Sequence, residues 1–171
     1  SFMERTVHVM LTMDWEGIDL YDHNIKSIQK FNKEYRLPWV HYLCASYYTN
    51  PNLHESQSIS DKIWSVFQTH DKTGLHLHTP KHFVQACKLQ QRPGPNFSHD
   101  KRENGPMEGQ EQILLSYSKE ELKKMIQMSS HILGHEGFTQ LESFRAGGWM
   151  ADTELLNLVQ ELGFQYDSSA T

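Results

Sequence analysis

Cysteine is scarce in this chain. There are two, Cys44 and Cys87, in 171 residues. A disulfide framework is thereby excluded, and reduced thiols in a reducing compartment are the expectation. Long apolar runs are missing. None approaches the roughly 18–20 residues that span a bilayer, so no membrane partner is expected. The opening SFMERT lacks the basic-then-apolar layout of a secretory leader. With no export signal in view, a cytoplasmic location is expected. Basic blocks are absent too, and the net charge is −5. That argues against nucleic acid or an anionic surface as partner. Several familiar motifs are also missing: no GxGxxG after a strand, no GxxxxGK[ST], no GxSxG and no CxxC.

What the chain does have is histidine, 11 of them and unevenly placed, in a composition hydrophobic enough (37%) to fold as one domain over residues 1–171. Strand-like and helix-like stretches alternate. Arg5–Met13 reads as a mostly buried strand ending at Asp14. Ile25, Ile28, Phe31 and Tyr35 recur at helical spacing through Asn24–Arg36, and Pro38 stops that helix. Trp39–Ala45 reads as the next strand, Ser60–His70 as a helix and Thr73–His78 as a short strand. Thr79-Pro80 predicts an N-cap followed by proline at the first helical position, with a helix or turn through Lys88. Gln90–Gly109 reads as a long loop. Ser118-Lys-Glu-Glu121 is a capping box before a helix to about Leu133, stopped by Gly134 or Gly137. Leu141–Arg145 is a strand, Gly147-Gly148 a turn. Asp152 caps a helix with Gly163 at its end, and Phe164–Asp167 is a last strand. The alternation predicts an α/β fold with a largely parallel sheet.

In such folds chemistry gathers at the C-terminal ends of the strands. Asp14–Gly17, His76–His82, Arg145–Trp149 and Asp167–Ser169 are all expected there. Asp14 and Glu16 lie at i and i+2, so in extended chain both carboxylates point one way. Close carboxylates repel unless a cation neutralises them; otherwise they form a solvated strand end. His76 and His78 share the same spacing, and His82 offers a further imidazole at i+4 from His78. Imidazole plus carboxylate suits zinc, or another first-row ion. Arg145 is placed to orient a carboxylate or to make a structural ion pair. Trp149 is placed to wall a sugar pocket. Asp167 ends the last strand, where a carboxylate can orient a histidine.

Taken in order, Asp14-Trp-Glu16-Gly17, Gly74-Leu-His76-Leu-His78-Thr-Pro-Lys-His82, Phe144-Arg145-Ala-Gly-Gly-Trp149 and Gly163-Phe-Gln-Tyr-Asp167-Ser168-Ser169 resemble four motifs of the polysaccharide deacetylase family (carbohydrate esterase family 4). The resemblance spans nearly the whole chain. It implies an incomplete, distorted (β/α) barrel and metal-dependent removal of an N-acetyl or related acyl group from a carbohydrate. It also implies roles: Asp14 as general base fixed by Arg145, Glu16 with His76 and His78 on a divalent metal, and His82 as the runner-up ligand. Zinc is the expected metal, with cobalt or nickel as alternatives. The family's first motif has adjacent aspartates, whereas here the acids stand one residue apart and the second is Glu16. The family also supplies a general-acid histidine beyond its fourth motif, with Asp167 as the residue resembling its orienter. The chain stops at Thr171, so it reads as a fragment or as a shortened, inactive carbohydrate-binding or structural relative. An amide hydrolase acting on a non-sugar substrate is the further alternative.

Overall fold

The computed structural model describes residues 5–17, 19–53, 55–92 and 113–170. One sheet of five parallel strands runs in the order β1 (Leu11–Trp15), β2 (Trp39–Leu43), β3 (Lys72–Leu77), β4 (Leu141–Ala146) and β5 (Tyr166–Asp167). Helices α1 (Asp22–Tyr35), α2 (Ser56–Trp64), α3 (Lys81–Ala86), α4 (Lys119–His135) and α5 (Thr153–Glu161) fill the crossovers. Sequential strand order with helical crossovers is the winding of a (β/α) barrel. The sheet is open, as in an incomplete barrel.

Period-2 alternation divides the strands between two faces. Leu43, Leu75, Leu77, Phe144 and Ala146 are buried on the helix side. There they meet Ile59 and Ile63 of α2, Met125 and Ile126 of α4, and Leu155 and Leu158 of α5. Each large apolar side chain so buried contributes about 1.5–3 kcal/mol. The other face carries Asp14, Tyr42, Gly74, His76 and Arg145, linked across the register by Asp14↔Tyr42, Tyr42↔Gly74 and His76↔Arg145. Only glycine fits at position 74. A Cβ there would stand 2.4 Å from Ser143 Oγ and 2.7 Å from the Tyr42 ring.

Several expected boundaries move. Residues 5–10 are not strand, and Val7, Val9 and Met10 are exposed. Among the described residues β1 pairs with β2 alone, which begins at Trp39 after Pro38, so no described strand pairs with the chain before Leu11. α2 lies earlier than Ser60–His70. It ends at Trp64, and Val66 and Phe67 pack from the turn that follows rather than from a helix. Ser60 is inside the helix, and its hydroxyl donates to Glu136 Oε2 at 2.6 Å. Pro80, not Thr79, is the N-cap of α3, and no side chain caps it. Thr79 is instead fully buried. The loop expected over Gln90–Gly109 lies almost wholly outside the described residues. The capping box at Ser118 and Glu121 forms as expected. α4 runs on through Gly134, and Gly137 at φ 93 follows its end. Asp152 caps α5 through Leu155 N.

One polar chain crosses the helix-side core. The Trp15 indole N–H donates to His41 Nδ1 at 2.9 Å, and His41 Nε2 lies 2.7 Å from Asp71 Oδ2. An indole nitrogen can only donate, so Nδ1 must accept and the proton sits on Nε2. His41 also stacks on Phe67, with ring centroids 4.1 Å apart. Burial lowers the pKa of His41 below its ordinary 6.5, against the pull of Asp71. A group whose folded pKa is depressed binds fewer protons folded than unfolded, so it stabilises the fold above about 6.5 and loses that contribution as pH falls. Urea midpoints should therefore fall below pH 6.5. The slope should be shallower in His41→Gln, and a slope unchanged in that variant would remove His41 as its source.

Candidate active site

Four side chains meet at the C-terminal ends of β1 and β3. His76 Nδ1 lies 2.8 Å from the carbonyl oxygen of Arg145. A carbonyl accepts, so Nδ1 carries the proton in the neutral ring and Nε2 presents a lone pair. That Nε2 faces Glu16 Oε2 at 2.9 Å and His78 Nε2 at 3.0 Å. His78 Nε2 also contacts Glu16 Oε2 directly. Asp14 Oδ2 stands a little back, 3.8 Å from His76 Nε2. In their protonated state the two imidazoles would instead donate to Glu16, and those hydrogen bonds, with the added charge, hold its carboxyl well below the usual carboxylate range.

A lone-pair nitrogen of His76, a ring nitrogen of His78 and a carboxylate oxygen that converge offer donors to a cation between them. With metal–nitrogen bonds of about 2.0–2.1 Å, two nitrogens on one tetrahedral ion stand about 3.3 Å apart. The observed 3.0 Å and 2.9 Å are close to that spacing. Asp14, Glu16 and His76 form one group whose ligand atoms all lie within 4.8 Å of each other. The donor set therefore fits a divalent first-row ion. The carbonyl of Arg145 supplies the outer hydrogen bond that fixes the His76 tautomer, the usual support for a metal-binding imidazole.

Arg145 also works through its side chain. Nη1 donates to Asp14 Oδ1 at 2.5 Å, Nη2 donates to Ser168 Oγ at 2.7 Å, and both reach Thr12 Oγ1 at 3.3 Å. The guanidinium lies 4.1 Å from the Tyr42 ring centroid. One residue thus orients the acid with its side chain and the imidazole with its backbone.

The other expected residues are placed differently. His82 stays outside the cluster. Thr49 Oγ1 gives its proton to Ser46 O, so it accepts from His82 Nδ1 at 2.8 Å, and burial lowers the His82 pKa. Asp167 is exposed and accepts from Ser169 N and Oγ, each at 2.9 Å. Trp149 sits in the turn Gly147–Trp149 at φ 56, half exposed on the rim. A bulky residue in that left-handed region is strained, and such strain clusters at functional sites.

Sequence reasoning missed Thr12, Tyr47, Ser168 and Cys44. Thr12 precedes Asp14 by two residues, which was the available signal. Ser168 lies inside the Gly163–Ser169 motif, and Cys44 is the first residue past β2. Tyr47 is buried; burial, and then nearby Cys44, Glu16 and Asp19, push its phenol far above the ordinary range, so it stays a neutral hydroxyl.

Gly147 sets the position of His78. A Cβ at 147 would stand 2.6 Å from Leu77 O and 3.0 Å from His78 Nδ1. Gly147→Ala is expected to push the ring aside and, if His78 is a metal ligand, to weaken metal affinity about 10–100-fold, the usual range for losing support around a ligand. Competition with a chromophoric chelator measures this, and unchanged affinity would show that His78 is not held by this contact.

The winding and open parallel sheet are those of the polysaccharide deacetylase fold. Three solved structures share it. A provisionally assigned polysaccharide deacetylase from Mycobacterium smegmatis is 14% identical at TM-score 0.55, covering 86% of this chain and 38% of its own. A CE4 family pseudoenzyme from Bacillus anthracis is 10% identical at TM-score 0.56, covering 92% and 41%. A family 4 carbohydrate esterase from Streptomyces lividans, solved with acetate, is 11% identical at TM-score 0.53, covering 93% and 60%. The likeness is one of fold, and the chain spans 38–60% of the length of these structures. No protein-family model and no curated protein matches the sequence. Among the described residues, no helix is long and apolar enough to cross a membrane.

Proposed function

We propose that this chain is a metal-dependent hydrolase that removes an N-acetyl or related acyl group from a carbohydrate. The observation that carries the proposal is the convergence of Glu16, His76 and His78 within 3.0 Å beside the Arg145–Asp14 pair. Glu16, His76 and His78 would hold a divalent ion, zinc first. Such an ion, when bound, supplies Lewis-acid activation of water and of the acyl carbonyl.

Asp14 is the general base. Its Oδ1 is committed to Arg145, which leaves Oδ2 to take the proton of the attacking water. Arg145 keeps that carboxylate in one orientation, and Thr12 and Ser168 keep Arg145 in place. Trp149 offers an apolar wall for a sugar ring at the rim.

A second reading is a module that binds metal or carbohydrate without turnover. It is favoured by Asp167, whose carboxylate, among the described residues, is engaged by Ser169 and by no imidazole that could protonate a leaving amine. One of the similar folds is itself a pseudoenzyme.

Metal content by plasma mass spectrometry tests the centre, with turnover on a panel of N-acetylated sugars alongside. Near-stoichiometric zinc, lost in both His76→Ala and His78→Ala but kept in His82→Ala, is the expected result. A chain that takes up no zinc, cobalt or nickel would end the metal-dependent reading. Metal without turnover on any substrate would leave the binding module.

A further inference from the structure

The cluster has a second, buried side. Cys44 follows β2 directly, two residues past Tyr42, so its side chain lies on the same face as Tyr42. Its sulfur and the ring nitrogens of His76 and His78 lie within 4.8 Å of one another. Cys44 is 2% exposed, whereas the Glu16 side chain is 46% exposed. The two histidines therefore stand between a carboxylate on the solvent side and a thiol on the protein side.

From this arrangement we propose that Cys44 is a direct ligand of the metal and makes the centre selective for thiophilic ions. The inference rests on the metal reading above. A sulfur and a nitrogen on one tetrahedral ion stand about 3.6 Å apart, from metal–sulfur and metal–nitrogen bonds of about 2.3 and 2.0–2.1 Å. The present spacing, within 4.8 Å, would have to close to that value on binding. On binding, the S–H bond breaks, the proton leaves to solvent and the sulfur lone pair forms the bond to the ion. No electron is transferred, so no oxidant or reductant is needed. A thiolate with two imidazoles and one carboxylate would fill a tetrahedral ion, so the water of the proposed reaction would enter as a fifth ligand; the set suits zinc or cobalt(II), and disfavours magnesium and calcium, which take oxygen donors. Cys87 is the internal comparison. It is also buried, yet it belongs to neither candidate ligand group, and burial pushes its thiol up to about 11.

The test is cobalt(II) titration of the metal-stripped full chain under reducing, oxygen-free conditions. Metal stoichiometry and near-ultraviolet absorption are read together. A thiolate ligand gives an intense sulfur-to-cobalt charge-transfer band, which imidazole and carboxylate ligands do not. The band is expected in the wild type and in Cys87→Ser, absent in Cys44→Ser, and bleached when zinc displaces cobalt. The wild-type spectrum decides the matter even if Cys44→Ser fails to fold. Stoichiometric cobalt without the band overturns the Cys44 ligand and leaves the histidine–glutamate centre standing. A band that survives in Cys44→Ser and vanishes in Cys87→Ser overturns it equally. No cobalt bound at all overturns both this inference and the metal reading beneath it.

Discussion

Under the proposed function, Asp14→Asn is expected to lower deacetylase turnover about 10²–10⁴-fold, the range supplied by a positioned general base, while leaving metal content unchanged. The amide keeps the shape of the carboxylate and can still accept from Arg145 through its oxygen. What it loses is a site for the water's proton. The geometry favours this separation of roles, because Asp14 Oδ2 is 3.8 Å from His76 Nε2 whereas Glu16 Oε2 is 2.9 Å away. Glu16→Gln should behave in the opposite way, with metal lost first and turnover as a consequence. Steady-state kinetics and metal analysis on the same preparations check both. If Asp14→Asn loses metal as completely as Glu16→Gln does, Asp14 is a ligand and the base lies elsewhere.

Arg145→Met has the largest expected effect on stability. The methionine fills much of the stem volume beside Tyr42, so little cavity term arises. The cost is electrostatic. Asp14 keeps only 16% exposure and loses the cation 2.5 Å away. Leaving one partner of a buried pair costs about 3–5 kcal/mol, and the residual exposure of Asp14 places the loss near the lower end. In a chain of this size that is a fall in melting temperature of roughly 6–12 °C. The Ser168 and Thr12 hydroxyls lose their donor as well. Adding Asp14→Asn to Arg145→Met should recover part of the loss, because the stranded charge is then gone. Additive losses in the double variant, measured by urea unfolding, would show that the pair contributes packing rather than charge.

Much of this was legible in the sequence, for identifiable reasons. The i, i+2 spacing of Asp14 with Glu16 and of His76 with His78 places each pair on one face of extended chain. The structure brings both pairs together because β1 and β3 flank the same strand. The helices with strong local signals formed as read: the Ser118–Glu121 box opens α4, and Asp152 opens α5. Errors came where tertiary pairing decides. Arg5–Met10 has strand-like residues but no neighbouring strand among the described residues. Val66 and Phe67 keep helical spacing yet pack from a turn. The partners of Cys44 and Ser168 were opaque because one residue carries no periodicity, although Ser168 lay in a stretch expected at the strand ends. Their positions follow only from how neighbouring strands are laid side by side.

Trp15 stands between the two acids in sequence and across the sheet from them in space. Most of the helix-side core is insulated from the opposite face, so its apolar residues can drift over evolutionary time with little trace in the chemistry. The Trp15–His41–Asp71 chain is the exception. It ties the backbone between Asp14 and Glu16 to the hydrogen-bonded loop ahead of β3. A neutral-looking change at Asp71, remote from any substrate, thus has a route to the spacing of the two carboxylates that an equally conservative change at Leu158 lacks.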